Sequence, residues 1–332
     1  MQSIINLDQL PPSFTEYEWP WSTPTISVPN QIPNSHEYPR ISIITPSYNQ
    51  GQFIEETIRS VLLQNYPNLE YIIIDGGSTD NSVEIIRKYE PWLNYWVSEP
   101  DQGQSDAIQK GFNLCTGVIW NWLNSDDILE PNALYNIAIA YQTNSEATIY
   151  SGQLTVFGQG ESMLAPRCFQ TLNDLVCVWE KWAVPQPAIF MNRKNCIEVN
   201  GLNTSLDYGM DYDLYLRLAL LPEFNVHNIE GLIAKIRRHP SSKTVSQQIY
   251  FRREILKVFD SFVNKNYCSL PLKWKRSRFL FEYISALKLN QDTNSLSSFF
   301  MITMPYWKEV WKYRYFWGTL YQRIKNKILL NL

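Results

Sequence analysis

"ISIITPSYNQGQFIEETIRSVLLQNYPNLEYIIIDGGSTD", residues 41–80, holds two short apolar runs with one amphipathic stretch between them. The first run, 41–45, stops at Pro46; the second, 70–75, stops at Gly76-Gly77-Ser78-Thr79. Between them Phe53, Ile54, Thr57, Ile58, Val61 and Leu62 share one face of a helix over residues 52–65. Short apolar runs closed by Pro or Gly are strands buried on both faces, and parallel strands need a crossover of this length to join them. The stretch therefore predicts one β-α-β unit.

The same pattern repeats downstream. A helix starts near Asp80 with Val83, Ile85, Ile86 and Tyr89 as its apolar positions; "NYWVSE" (94–99) is a strand, "QSDAIQKGFNLC" (104–115) a helix and "VIWNWL" (118–123) a strand. Beyond 145 the order loosens. Residues 147–158 suggest a strand pair and 186–193 a further strand, while 211–221 is a helix with Leu214, Leu218 and Leu221 on one stripe. Two strands are expected near 224–229 and 232–237, and 245–332 reads as helices. The fold class is α/β, with a mostly parallel central sheet flanked by helices and a helical extension at the C-terminal side.

The chain has 332 residues, room for one large domain and an appendage. Its 45% hydrophobic and 18% charged residues exclude a disordered chain. Cysteines 115, 168, 177, 196 and 268 are odd in number and contain no CxxC, which argues for a reducing compartment rather than a disulfide framework or zinc knot. Residues 1–40 carry seven prolines and no Lys or Arg before Arg40, so an extended lead-in is expected, not a secretory signal or basic arm. No apolar run reaches the ~18 residues a membrane-spanning helix needs. Charge divides sharply: residues 1–249 hold 14 Lys and Arg against 27 Asp and Glu (−13), and residues 250–332 hold 15 against 5 (+10). The expected division is a lead-in 1–40, a main domain 41–244 and a basic helical region 245–332.

In an open parallel sheet, ligands bind beyond the carboxyl ends of the strands. The segments found there are Thr45-Pro46-Ser47-Tyr48-Asn49, Asp75–Asp80, Glu99–Gln104 and Asn124-Ser125-Asp126-Asp127, and all four are polar. One polar cleft along a single edge is the consequence. Two carboxylates about 4 Å apart repel by roughly 1 kcal/mol in water and ~4 at an effective dielectric of 20, so the Asp126-Asp127 pair calls for a cation or a proton. Hard oxygen donors favour Mg²⁺ or Mn²⁺, completed by a diphosphate. The alternative is that one of the pair merely caps the helix beginning near Pro131. "DGGSTD" lacks the glycine spacings of nicotinamide and P-loop sites, and no His and Cys cluster suits zinc.

Taken in order, "ISIITPSYNQGQFIEETIRSVLLQNYPNLEYIIIDGGSTDNSVEII", "SEPDQGQSDAIQKGF" and "WLNSDDIL" resemble the family 2 glycosyltransferases of the GT-A fold, over roughly residues 40–240. The resemblance implies an inverting, metal-dependent glycosyltransferase of the hexosyltransferase class. Such an enzyme moves a sugar from a nucleotide-diphosphate donor to the hydroxyl of a saccharide or lipid-linked acceptor, in polysaccharide or glycolipid assembly. It also implies the GT-A (nucleotide-diphospho-sugar transferase) fold, Mg²⁺ or Mn²⁺ as cofactor, and a cytoplasmic place, at the cytoplasmic face of a membrane where the protein is peripheral.

Site roles come from the same resemblance. Thr45, Pro46, Tyr48 and Asn49 lie against the nucleotide; Asp75 bonds the base with Ser78 close by; Asp101, Gln104 and Asp106 face nucleotide and donor sugar. Asn124–Asp127 stands where the family's D-x-D motif lies, which makes Asp126 the first metal ligand and Asp127 the second, with Asp127 also on the donor side. Asn124 replaces the first acidic residue of that motif and keeps only the capacity to bond a sugar hydroxyl. His239 in "RRHPSS" meets the metal or diphosphate beside Arg237 and Arg238, or else is a surface or capping residue. Asp211 in "YGMDYDLYLRLAL" is the general base, with Met210 in place of the family's Glu, and Asp213 is a first-turn dipole partner. The alternative is that both aspartates only favour the helix N-terminus. Trp182, Gln186 and Pro187 in "EKWAVPQPAIF" line the acceptor side.

The chemistry needs each part. Displacing a nucleoside diphosphate builds charge on the leaving phosphate, which a divalent ion stabilises. A general base contributes ~10²- to 10⁴-fold, and enzymatic accelerations begin near ~10⁶, so leaving-group stabilisation and positioning must add to it. A second function class stands beside the first: a catalytically inactive nucleotide-binding or scaffold protein that keeps the fold, as Asn124 and Met210 suggest. Between 306 and 330, Trp307, Trp311, Tyr315 and Phe316 interleave with Lys308, Lys312, Arg314, Arg323, Lys325 and Lys327. Residues 305–332 thus suit a peripheral membrane contact, or a helix packed on the main domain. Nucleic acid is disfavoured because the acidic body repels it.

Overall fold

β1 (Ile41–Ser47) and β2 (Leu69–Asp75) lie side by side and parallel, from Ile41 opposite Leu69 to Ser47 opposite Asp75, with α1 (Ile54–Leu62) as their crossover. All seven residues of each strand are buried, which explains the unbroken apolar runs. The structure, a computed structural model, describes residues 37–159, 162–165, 168–177 and 184–267, together with 9–12, 19–21, 28, 29, 32, 271, 274 and 278. Trp182, Cys268 and the basic tail 305–332 lie outside the described residues.

The unit continues through α2 (Ser82–Tyr89), β3 (Tyr95–Ser98), α3 (Gln104–Leu114) and β4 (Ile119–Trp122). β5 (Ile128–Leu129), α4 (Ala133–Thr143), β6 (Ile149–Gly158), β7 (Met163–Leu164), α5 (Leu172–Val176), β8 (Ile189–Asn192), α6 (Arg193–Glu198) and α7 (Met210–Leu218) come next. β9 (Val226–Arg238), α8 (Lys243–Ser246) and α9 (Gln248–Asn266) complete the described elements. The sheet order is β3-β2-β1-β4-β8-β6-β9-β5, with β7 paired to β6. β1 to β4 are mutually parallel; the antiparallel pairings β4·β8 and β8·β6 cancel, so β6 and β9 run the same way as β1. The order reverses between β1 and β4, the switch point at which such sheets open for a ligand.

Period-2 alternation divides the core in two. Ile44, Ile72, Ile74, Trp120 and Trp122 join α3 and α7 on one face, and Ile41, Ile43, Tyr71, Ile73 and Ile119 join α1, α2 and α4 on the other. α9 belongs to the first group through Ile255, Val258, Phe259, Phe262 and Val263. Described parts of the lead-in pack on the second: Leu10 and Ile32 are buried there, and the buried Arg59 donates to the carbonyls of Pro11 (2.9 Å) and Pro20 (3.3 Å). No helix among the described residues is long and apolar enough to cross a membrane.

Three expectations are corrected. The strand pair at 147–158 is one ten-residue strand, β6, and the two strands near 224–229 and 232–237 are one thirteen-residue strand, β9, parallel to it. Register slips from Ser151↔Asn228 to Gln153↔Leu232 and then to Leu154↔Ala234, around Gly231 at φ +103°. Gly231 therefore makes a bulge that bends the ribbon, where the sequence suggested a turn. The expected strand at 186–193 begins only at Ile189, because residues 186–188, with Pro185 ahead of them and Pro187 among them, form a 3₁₀ turn.

Glu70 ties the opposite end of the sheet. Its carboxylate accepts from Arg40 Nη2 (2.8 Å), Ser42 Oγ (2.5 Å), Thr116 N (2.6 Å) and Thr116 Oγ1 (2.9 Å). Burial pushes its pKa up, but the bonds from Ser42 and Thr116 and the charge of Arg40 outweigh that and hold it below the usual value. A depressed folded pKa means stability present above the unfolded value and lost as pH falls through the folded one. Glu70→Gln is expected to cost about 1 to 3 kcal/mol in urea unfolding at pH 7. The gap to the parent should narrow as the pH is taken down through the carboxylate range.

Candidate active site

At the carboxyl edge the first two loops are fastened together. Asn49, at φ 52°, donates its N–H to Ser78 Oγ (2.8 Å), and its Oδ1 accepts from Thr79 N (2.8 Å). Gln50 N donates to Ser82 Oγ and Gly51 N to Asp80 Oδ2, both at 2.9 Å. Asp75 is fully buried and holds the second loop in shape: Oδ2 accepts from Gly77 N (3.1 Å), Ser78 N (2.8 Å) and Ser98 Oγ (2.7 Å), and Oδ1 from Ser78 Oγ (2.5 Å). Thr45 and Pro46 lie beneath the rim, with Thr45 Oγ1 3.1 Å from Tyr71 OH. Tyr48, 60% exposed, is the first-loop ring that faces outward.

The third loop closes on the second. A Cβ on Gly76 would lie 2.6 Å from Asp101 Oδ2, so a side chain there would displace the Asp101 carboxylate from its present position. Asp101 Oδ1 accepts from Gly103 N (2.8 Å). Burial raises the Asp101 pKa, Gly103 N–H and Lys110 oppose the rise, and Asp106 and Asp75 add to it. Asp106 accepts from Gln102 N (3.1 Å) and stands 3.5 Å from Lys110 Nζ. Gln104 Nε2 reaches Asn124 Oδ1 at 2.7 Å and so links the third loop to the fourth.

In the fourth loop the adjacent carboxylates part company. Asp127 is 3% exposed: Oδ1 accepts from Arg237 N (3.0 Å) and Oδ2 from Asn124 Nδ2 (3.2 Å), while its carbonyl accepts from Thr57 Oγ1 (2.7 Å). Burial, and then the charge of Asp126, pushes the Asp127 pKa well up. Asp126 Oδ2 instead lies 2.9 Å from His239 Nε2, and His239 Nδ1 lies 2.9 Å from Ser241 Oγ. The imidazole is tilted on Phe53 with ring centroids 4.6 Å apart. Arg237 bonds the Asp126 carbonyl through Nε (3.1 Å), pairs with Glu56 and covers Phe157 at 4.4 Å. Arg238 is exposed. Antiparallel pairing of β5 with β9, Ile128 opposite Lys235, brings these 110-residue-distant groups together. The capping alternative for the pair is overturned, because α4 starts only at Ala133, after β5, with Asn132 at its N-cap.

Asp211 sits in the first turn of α7, partly accessible, with Oδ1 accepting from Tyr212 N (2.7 Å). Burial drives its pKa up to about 6; the Tyr212 N–H lowers it and Glu254 raises it. Met210 is buried in the apolar core, which accounts for a thioether at that position. Asp213 turns the other way and pairs with Arg217 Nη2 at 2.7 Å. The loop entering α7 abuts the third loop: Ser105 Oγ donates to the Leu206 carbonyl, and a Cβ on Gly103 would lie 3.4 Å from Asp207 Oδ1. The loop leading into Asp211 thus meets the third loop at Gly103 and Ser105, the third loop meets the fourth through Gln104 and Asn124, and the fourth meets His239 through Asp126.

Gln186 and Pro187 are buried under the end of β4. Gln186 Nε2 donates to the Trp122 carbonyl (2.7 Å) and Asn121 Oδ1 (3.2 Å), and Asn121 Nδ2 to the Pro187 carbonyl (2.9 Å). Glu254, Lys243 and Tyr208 border the site and were not singled out from the sequence. Among the described residues no three His, Cys, Asp or Glu side chains converge as a ready cage for a metal ion. The Asp126 carboxylate and His239 imidazole do fit an ion that takes two protein ligands and completes its shell with phosphate oxygens and water. A separate cavity of about 300 Å³, lined by Glu37, Arg40, Asn68 and Tyr141 among others, lies at the opposite end of the strands.

Residues 42–198 match the family described as Glycosyl transferase family 2. An uncharacterized glycosyltransferase of Rickettsia conorii is 27% identical over 264 residues, which are 76% of this chain and 43% of that protein. The chain spans less than half the length of the relatives it matches in Rickettsia conorii, R. felis and R. bellii. Among solved structures, residues 1–349 of S. aureus TarS in complex with UDP-GlcNAc superpose with a TM-score of 0.59 at 14% identity, covering 77% of this chain and 74% of that one. The mannosyltransferase PcManGT of Pyrobaculum calidifontis, in complex with GDP-Man and Mn²⁺, gives 0.55 at 17% identity, covering 87% and 85%. Both likenesses show a shared GT-A fold.

Proposed function

We propose that this chain, whose residues 42–198 belong to glycosyl transferase family 2, moves a sugar from a nucleotide-diphosphate donor to an acceptor hydroxyl in a single displacement with inversion. The observation that carries the reading is the gathering, at one edge of the sheet, of the Asp126–His239 pair, the Gln104–Asn124 bond and the loop that leads into Asp211. Fold likeness alone would not choose a chemistry.

In this reading Tyr48 and Asn49 face the nucleotide, and Asp75 and Ser78 shape the pocket for its base. Asp101, Gln104, Asp106 and Asn124 hold the donor sugar. Asp126 and His239 would hold Mg²⁺ or Mn²⁺, which as a Lewis acid stabilises the departing diphosphate. We assign Asp127 a positioning role, since Arg237 N and Asn124 engage both its oxygens and so lock the loop to β9. Asp211, with a pKa of about 6, is deprotonated at neutral pH yet basic enough to take the acceptor's proton as the new bond forms. Gln186 and Pro187 support this floor from below, and the acceptor, a saccharide or lipid-linked hydroxyl of polysaccharide or glycolipid assembly, approaches from the α7 side. A cytoplasmic setting, with 305–332 on an anionic membrane face, completes the proposal; Cys115, Cys168, Cys177 and Cys196 are buried free thiols.

Calorimetric titration of the purified chain with a panel of UDP- and GDP-sugars tests it. Saturable binding strengthened by Mn²⁺, and slow release of nucleoside diphosphate, are expected. Failure of every nucleotide sugar to bind, with and without metal, would overturn it.

A further inference from the structure

We propose that Glu254, on α9, is a positioning residue for the general base: its carboxylate grips the backbone that leads into α7 and thereby sets the direction in which Asp211 points. The inference rests on the reading of Asp211 as that base. Glu254 Oε1 accepts from Asp207 N (3.2 Å), and Oε2 accepts from Tyr208 N (2.6 Å) and Gly209 N (2.7 Å). Three consecutive N–H groups thus converge on one side chain, two residues ahead of Asp211.

The helix needs such a partner. Gly209 is the N-cap of α7 and has no side chain to bond with; Glu254 accepts its N–H, one of the four that a helix start leaves without a backbone partner. A carboxylate at a helix N-terminus also opposes the positive end of the helix dipole, and bonds to an ionised acceptor are the stronger kind. Contact is close: a Cβ on Gly209 would lie 3.3 Å from Ile255 Cδ1 and 3.6 Å from Glu254 Oε2. Ile255 and Val258 are buried against α7, so the backbone carrying Glu254 is itself fixed.

Charge gives the same side chain a second effect on Asp211. Glu254 favours the protonated form of Asp211 and so keeps the base strong. Other titratable groups lie near the pair: Asp207 in the entry loop, Lys243 from α8 with Nζ 3.3 Å from the Asp207 carbonyl and within charge range of Glu254 and Asp101, and Tyr215 on α7, whose hydroxyl feels Asp211; the Asp213–Arg217 pair turns away. Lys243 carries the opposite charge and interacts with Glu254. Among the described residues, Glu254 alone combines a like charge that acts on Asp211 with a direct hold on the loop before it.

The test monitors hydrolysis of whichever UDP- or GDP-sugar binds, with water in place of the acceptor. The sugar–phosphate bond breaks, a bond to water oxygen forms, and the proton goes to Asp211. Glu254→Gln keeps the size but loses the charge and one acceptor oxygen. It is expected to lower kcat between about ten- and a hundred-fold, with donor Kd unchanged. The acid limb of its kcat–pH profile should move to lower pH, because a negative neighbour has been removed. Glu254→Asp, which retains the charge, should leave the limb in place. Parental kcat and an unmoved limb in Glu254→Gln would overturn the proposal, as would a fall in kcat that tracks lost folded protein with no movement of the limb. Asp211→Asn is run alongside: full activity there removes the base reading, whereas an inactive Asp211→Asn beside a parental Glu254→Gln removes only the positioning role.

Discussion

Asp211→Asn is expected to lower turnover by about 10²- to 10⁴-fold and to leave nucleotide-sugar binding intact. The amide has the same shape, and its oxygen still accepts the Tyr212 N–H that Asp211 Oδ1 accepts at 2.7 Å, so α7 keeps its start. What the amide cannot do is take a proton. The parent should show an acid limb near pH 6, the value to which burial lifts this carboxyl, and the variant should show none. Stability moves oppositely to activity. An aspartate whose pKa is raised from 3.8 to about 6 on folding binds more protons folded than unfolded between those values, so the fold loses stability as pH rises through that window. The asparagine variant escapes the loss and should melt higher than the parent at pH 7.5. A variant that turns over at the parental rate would remove Asp211 from the chemistry. A parent that never turns over, and whose partner-dependent effects survive the substitution, would favour the inactive scaffold.

Asp126→Ala should act at the other end of the reaction path. It removes the carboxylate 2.9 Å from His239 Nε2, and with it one of the two groups suited to hold a divalent ion. Charge on the leaving diphosphate then goes uncompensated, a loss of the order of 10²- to 10³-fold in turnover by comparison with removal of a stabilising donor elsewhere. The diagnostic reading is the metal response. Mn²⁺ should strengthen donor binding to the parent and have no effect on the variant, as measured by calorimetry with and without chelator. The fold should tolerate the change, because Asp127, Arg237 and Thr57 hold the loop through bonds that do not use the Asp126 side chain. A variant that responds to Mn²⁺ as the parent does would place the ion elsewhere.

The first half of the fold was legible because strands buried on both faces must be apolar throughout, and their polar ends therefore stand out. That single rule located Asp75, Asp101, Asp126 and Asp127 on one edge. The rule does not say which way each side chain turns. Thr45 shares the parity of Ile41 and Ile43 and so points to Tyr71 beneath the rim; Gln186 spends its amide on the Trp122 carbonyl. Gly231 carried a signal common to turns and bulges, and only the pairing of β6 with β9 decides between them. Glu254 left no trace at all. A glutamate on an amphipathic helix is ordinary, and the three N–H groups it meets lie 45 to 47 residues earlier in the chain.

β9 runs on past the residues by which this family is recognised, and it delivers Arg237 and then His239 to a loop formed more than a hundred positions before. His239 and Asp211, on which the proposed function depends, thus lie outside the stretch that matches family 2. Under the proposed function, a relative that keeps the matched stretch and has lost the residues equivalent to Asp211 and His239 is expected to be chemically silent, so searches for working relatives should be filtered on the segment beyond residue 198.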